Sequence, residues 1–147
     1  MKNLRPRLVE LFQKGYCTPL ISQIAKEVGE ASTTIHYNVK QMEKDGTIKA
    51  YKAVFDNKKI DRGFCVFLLV DFASDVDVEK FAKKLISYPQ VESIDLIHEE
   101  WELLIKIRAK DMDEYYEFTK KIFPVGTVDN MTALNSVKQL KSEFVEA

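Results

Sequence analysis

The run Gly29-Glu30-Ala31 constrains this chain more than any other feature, because amphipathic helical patterns lie directly on both sides of it. Upstream, Leu20, Ile21, Ile24, Ala25 and Val28 fall on one apolar stripe, with Thr18 placed as N-cap and Pro19 at the first helical position. Downstream, Ile35, Val39 and Met42 mark a helix from Ser32 to Asp45 that stops at Gly46. An earlier stripe, Leu4, Leu8, Leu11 and Phe12, ends at Gly15 and adds a first helix. Two short amphipathic helices joined by three residues that include a glycine have the spacing of a helix-turn-helix. A plain three-helix bundle satisfies the same geometry, so the spacing alone leaves both open.

After Gly46 the period changes from helical to two. Ile48, Ala50 and Lys52 fall on one face and Lys49, Tyr51 and Ala53 on the other, up to Phe55, which predicts a strand directly after the third helix, as in a winged variant. The stretch 56–63 is polar, has few large apolar residues and predicts a linker. The chain thus reads as a winged helix-turn-helix domain over 1–55, a linker over 56–63 and a second domain over 64–147.

The second domain alternates between the two periods. Strands are expected at Phe64–Phe72, Val91–Ile97, Trp101–Ile107 and Thr127–Val137. Helices are expected at Val76–Ser87, capped by Asp75 or Asp77, and at Met112–Phe123. The order β-α-β-β-α-β is the ferredoxin-like arrangement, one antiparallel sheet with both helices on one face. The fold class is therefore α+β, a winged helix-turn-helix followed by a ferredoxin-like domain. The first strand is apolar almost throughout, so both sheet faces need cover; the helices take one, and the other predicts a homodimer. Nothing in the residues chooses between dimer, tetramer and octamer.

Charge divides the chain in the same place. Residues 1–63 hold 12 Lys and Arg against 7 Asp and Glu, a net of +5, whereas residues 64–147 hold 10 against 16, a net of −6. A basic first half beside an acidic second half suits a protein in which only the first meets a polyanion. The opening MKNLRPRLVE lacks the apolar core of a secretory signal, and Phe64–Val70 is too short to cross a bilayer, so the expectation is a soluble cytoplasmic protein without a membrane partner. Cys17 and Cys65 are far apart and outside any CxxC pair, which predicts no metal, no disulfide and no cofactor.

The third helix concentrates the chemistry. Ser32, Thr33, Thr34, His36, Tyr37, Asn38, Lys40 and Gln41 lie off its apolar face. Hydroxyls, an amide and a cation in the first turns of such a helix suit base edges and phosphates of double-stranded DNA. Thr33, Thr34, Tyr37 and Asn38 sit where base contacts are made, while Lys40, and Lys49 and Lys52 in the wing, suit phosphate.

These residues also carry a family resemblance. Ile24-Ala25-Lys26-Glu27-Val28-Gly29, Ser32-Thr33-Thr34-Ile35-His36, Val39-Lys40 and Gly46-Thr47-Ile48-Lys49-Ala50-Tyr51 together resemble the signature of the leucine-responsive/AsnC (Lrp/AsnC) transcription regulators, over essentially the full length. The resemblance implies sequence-specific DNA binding, homo-oligomers and control by an amino-acid effector. Glu30-Ala31 departs from the family's Leu-Ser pair in the turn, which shifts the expected cap to Ser32, and Tyr37-Asn38 stands where an arginine is common. The implied effector site falls on His98, Glu99, Glu100, Trp101 and Thr132. Relatives carry a glycine and an aspartate in this turn, so the expectation is an altered or absent effector response.

Other functions find little support. There is no GxSxG, HExxH or P-loop glycine run, and His36 and His98 fall in different domains, so no enzyme is expected. A tetrapyrrole-processing enzyme on this fold would need placed His and Arg, and Arg108 is the second domain's single arginine. An RNA-binding sheet could draw on Phe64, Phe67 and Trp101, but the domain is acidic and lacks the matching basic motif. The runner-up is an architectural DNA-binding protein of low sequence specificity.

Overall fold

The computed structural model describes residues 3–98 and 101–142. The chain divides into two compact units, Met1–Val54 and Phe55–Ala147.

The first unit holds α1 (Arg5–Gln13), α2 (Ile21–Val28) and α3 (Ser32–Lys44). Gly29 closes α2 in the left-handed conformation at φ 78°, its N–H donating to the Ala25 carbonyl, which leaves residues 29–31 as the whole connection to α3. Both expected side-chain caps are corrected. α2 starts at Ile21 behind Leu20, and Thr18 and Pro19 precede it as a non-helical lead-in. α3 is preceded by Ala31 in the extended conformation with no side-chain cap, and Ser32 is already its first helical residue. The reason is geometric: with Gly29 left-handed, the short turn spends its last residue, Ala31, on the extended entry to the helix.

Only Ala25 and Ile35 are buried in this unit among the described residues. Leu20 is 63% and Val28 59% exposed, and Met42, expected to face the core, is exposed as well. Three helices of at most 13 residues enclose little volume, so the inner members of each stripe are covered and the outer ones are not. The expected wing strand is also absent: no residue from Thr47 to Asp56 belongs to a helix or strand. A period of two makes a segment compatible with a sheet, but a strand needs a hydrogen-bonding partner, and the described residues of this unit offer no edge.

In the second unit the polar run 56–63 forms a 3-10 turn, Asn57–Ile60, rather than a bare link, with the Asp56 carboxylate accepting from the Lys58 N–H at 3.1 Å. There follow β1 (Phe64–Phe72), α4 (Val78–Leu85), β2 (Val91–Ile97), β3 (Glu102–Ala109), α5 (Met112–Ile122) and β4 (Val128–Ser136). The sheet order is β2-β3-β1-β4 with every neighbouring pair antiparallel, the ferredoxin-like topology. Asp77 caps α4 by accepting from the Lys80 N–H at 3.0 Å, and Asp111 caps α5 by accepting from Glu114 at 2.9 Å.

Alternation along the strands splits the sheet into two faces. Val66, Leu68, Val70 and Phe72 of β1 and Leu103, Ile105, Ile107 and Ala109 of β3 are buried against Val78 and Leu85 of α4 and Tyr115, Phe118 and Ile122 of α5. The opposite face carries Phe67, Leu69, Leu104 and Leu134 side by side, with Leu69 opposite Leu104 and Phe67 opposite Leu134. Among the described residues no element of the second unit covers that face, and Leu134 is 59% exposed.

Candidate functional site

The polar face of α3 is displayed as its sequence predicts. Ser32, Thr33, Thr34, His36, Tyr37, Asn38 and Lys40 are all exposed around the single buried Ile35. Tyr37 stands out at 64% exposure, a large aromatic that the unit does not bury. Asn38 is held by its own helix, its Nδ2 donating to the Thr34 carbonyl at 2.8 Å. That bond restrains an amide which is exposed on the surface of α3. Lys40 Nζ pairs with Glu43 Oε2 at 3.1 Å.

The segment after α3 carries Lys49 and Lys52, both exposed. With no ladder to hold it, it depends on individual bonds. Asp45 accepts from the Thr47 N–H at 2.9 Å and from its Oγ1 at 2.6 Å, and these bonds keep the Asp45 carboxyl below the usual range. The Ile48 N–H donates to the Met42 carbonyl at 2.9 Å. Further along, the Tyr51 hydroxyl donates to Glu43 Oε1 at 2.9 Å. The Lys40 and Tyr51 hydrogen bonds together hold the Glu43 carboxyl below its ordinary value. On the backbone side of Tyr51 sits Gly15, at φ +88°, where a Cβ would lie 2.9 Å from the Tyr51 carbonyl oxygen. Only glycine fits there.

Glu43, Asp45 and the bonding role of Tyr51 were not foreseen from the residues. The nearest signal was Glu43 three residues after Lys40 on a helix, an ordinary ion-pair spacing.

The residues expected at the effector site are less unified. His98 follows β2 in the left-handed region at φ 49°, and its Nδ1 contacts Glu102 Oε2 across the turn. Trp101 is 68% exposed in the same turn. Glu99 and Glu100 lie outside the described residues. Thr132 sits on β4 opposite Leu69, and β1 separates it from β3, so one chain does not bring it to the turn. A groove of about 360 Å³ between α4 and β2, lined by Ala82, Ile94 and Leu103 among others, includes none of these residues. Among the described residues no helix is long and apolar enough to cross a membrane.

Comparison with known proteins agrees with this geometry. Two curated relatives are HTH-type transcriptional regulator FL11 of Pyrococcus furiosus, 25% identical over 96% of this chain and 90% of the relative, and Regulatory protein AsnC of Haemophilus influenzae, 27% identical over 92% and 91%. An AsnC family transcriptional regulator from Agrobacterium tumefaciens superposes with a TM-score of 0.75 at 22% identity, covering 97% of this chain and 94% of its own. A Neisseria meningitidis transcriptional regulator in complex with L-Met does so at 0.75 and 19%, covering 97% and 93%. Residues 65–145, more than half of the chain, match the Lrp/AsnC ligand binding domain, and the chain belongs to the Lrp/AsnC family.

Proposed function

We propose that this chain is a sequence-specific, double-stranded DNA-binding transcription regulator that inserts α3 into the major groove and works as a homodimer or a larger assembly of dimers. The observation that carries this is the exposed row Ser32, Thr33, Thr34, Tyr37 and Asn38 in the first two turns of a helix entered from a three-residue turn. Short polar side chains at such a helix start reach base edges, and Lys40, Lys49 and Lys52 take the flanking phosphates. The apolar face at Phe67, Leu69, Leu104 and Leu134 supplies the surface that a second copy covers. The reading places the protein in the cytoplasm with its DNA and assigns it no catalytic step.

The second unit, in this reading, also carries the effector response, in an altered form. One structural neighbour was solved with L-methionine. Here the His98–Glu102 pair occupies the turn, which supports weak or no binding of small amino acids. The RNA-binding alternative loses ground because Phe64 turns to the helices, its ring 5.7 Å from that of Tyr115.

Selection of bound duplexes from a random pool, with and without a panel of amino acids, tests the reading. One enriched motif is expected, unchanged by most amino acids. Binding without enrichment would replace this reading with the architectural one.

A further inference from the structure

We propose that Glu43 is the positioning residue of the DNA-binding surface, tying the lysine-bearing segment after α3 to α3 itself through Tyr51. The inference rests on the reading of α3 as the DNA-contacting helix and adds a role that neither base nor phosphate contact explains.

Residues 49–54 have no ladder, and among the described residues one hydrogen bond returns them to the helices, Tyr51 Oη to Glu43 Oε1 at 2.9 Å. The other oxygen of the same carboxylate pairs with Lys40 at 3.1 Å. One half-buried side chain thus joins a lysine on α3 to the residue that adjoins Lys52. The contact of Gly15 with the Tyr51 carbonyl, where a Cβ would sit at 2.9 Å, restrains the backbone from the other side. Tyr51 is therefore fixed by its hydroxyl and by its main chain, from α3 and from the turn after α1.

The charge of Glu43 by itself works against DNA binding. An acid beside a surface that meets phosphate opposes binding through simple repulsion. Its favourable contribution is preorganisation: lysines on an untied segment lose backbone freedom on binding, and a segment already held has less to lose. Charge and tie have opposite signs, and two substitutions separate them. Glu43→Gln removes the charge and keeps an acceptor for the Tyr51 hydroxyl. Glu43→Ala removes both.

The experiment measures affinity for one selected duplex across a range of salt, for Glu43→Gln, Glu43→Ala and Tyr51→Phe and for each Glu43 variant combined with Tyr51→Phe. Glu43→Gln is expected to bind more tightly than the parent. Glu43→Ala is expected to bind about three- to tenfold more weakly than Glu43→Gln, the worth of one exposed-to-half-buried hydrogen bond. Tyr51→Phe should weaken binding by a similar factor, and in its presence the two Glu43 variants should coincide. Equal affinities for Glu43→Gln and Glu43→Ala with Tyr51 intact would overturn the proposal, since only charge would then matter. Amide exchange of Ile48, whose N–H donates to the Met42 carbonyl, gives a reading in the free protein that needs no DNA. Faster exchange in Tyr51→Phe is expected, and unchanged exchange overturns the tie. A parent protein that binds no duplex, with exchange still responding to Tyr51→Phe, would sink the DNA-binding reading and leave the tie standing.

Discussion

Asn38 donates its Nδ2 to the Thr34 carbonyl at 2.8 Å, so its amide reaches solvent already oriented on α3. A side chain fixed in this way discriminates among bases more sharply than a free rotor, because less ordering is left for the bound state. Asn38→Ala should change the preferred base at one position of the selected site by about 1–3 kcal/mol while leaving affinity for random DNA nearly the same. Lys40→Ala should weaken all duplexes alike and reduce the salt slope by up to about 1. Equal effects of the two substitutions on specific and random DNA would refute this division of roles.

The uncovered sheet face gives a second prediction. Leu134 is 59% exposed and lies opposite Phe67, outside the core that α4 and α5 cover. Leu134→Lys should leave the melting transition of the isolated chain's second unit little changed and shift sedimentation from dimer or larger to monomer at micromolar concentration. An unchanged sedimentation coefficient would place the interface elsewhere.

Leu68 and Ile105 are opposite one another at the centre of the sheet and are fully buried. Truncating either to Ala removes packed volume from a site with no freedom to collapse, at a cost of about 2–5 kcal/mol in denaturant unfolding. A loss below about 1 kcal/mol would mean the helix-facing core is looser than its burial indicates.

His98 occupies a left-handed position at φ 49° and contacts Glu102 across the turn. Glycine adopts this conformation without steric cost and clears the space the imidazole fills. His98→Gly is expected to create or strengthen binding of a small amino acid, read by calorimetry against the parent. Absence of heat in both would remove the turn from the effector site.

Low pH should release the segment that carries Lys49 and Lys52. Glu43 and Asp45 both have carboxyls held below their ordinary values, Glu43 chiefly by Lys40 and Asp45 chiefly by Thr47. A depressed folded-state value means the carboxylates stabilise the native arrangement above the usual carboxylate range and lose that contribution as pH falls through the lowered values. Amide exchange of Thr47 and Ile48, the bonded N–H groups of this segment, corrected for intrinsic pH dependence, should accelerate as pH falls below the ordinary carboxylate range. Protection that stays constant as pH falls would contradict the anchoring described for this segment.

Much of this architecture was legible from residue order, and the exceptions have physical causes. Phe64–Phe72 and Val91–Ile97 read as strands with the bounds they have, the first as a dense apolar run and the second as apolar residues interleaved with polar ones, each between turn residues. The turn 29–31 was equally plain, since Gly29 marks the left-handed stop itself. The strand expected at 48–55 failed because periodicity records compatibility with a sheet and not the presence of a neighbouring edge. Val28, Leu20 and Met42 failed as core residues because a stripe gives direction but not depth in so small a unit. Of the site, the display of α3 could be read directly, since helical spacing around Ile35 leaves those side chains nowhere else to point. The Glu43–Tyr51 bond could not, because it spans eight residues from a helix into a segment with no repeating geometry.

In the proposed function, α3 reads DNA sequence from a two-fold assembly. Hydroxyl-radical footprinting on a selected duplex reads this out. Two short protected stretches of backbone on one face of the duplex, about 10–10.5 base pairs apart or a multiple of that, are expected at one sequence-defined position, with a position preference that Asn38→Ala alters. Uniform protection that is independent of sequence and indifferent to Asn38→Ala would contradict it.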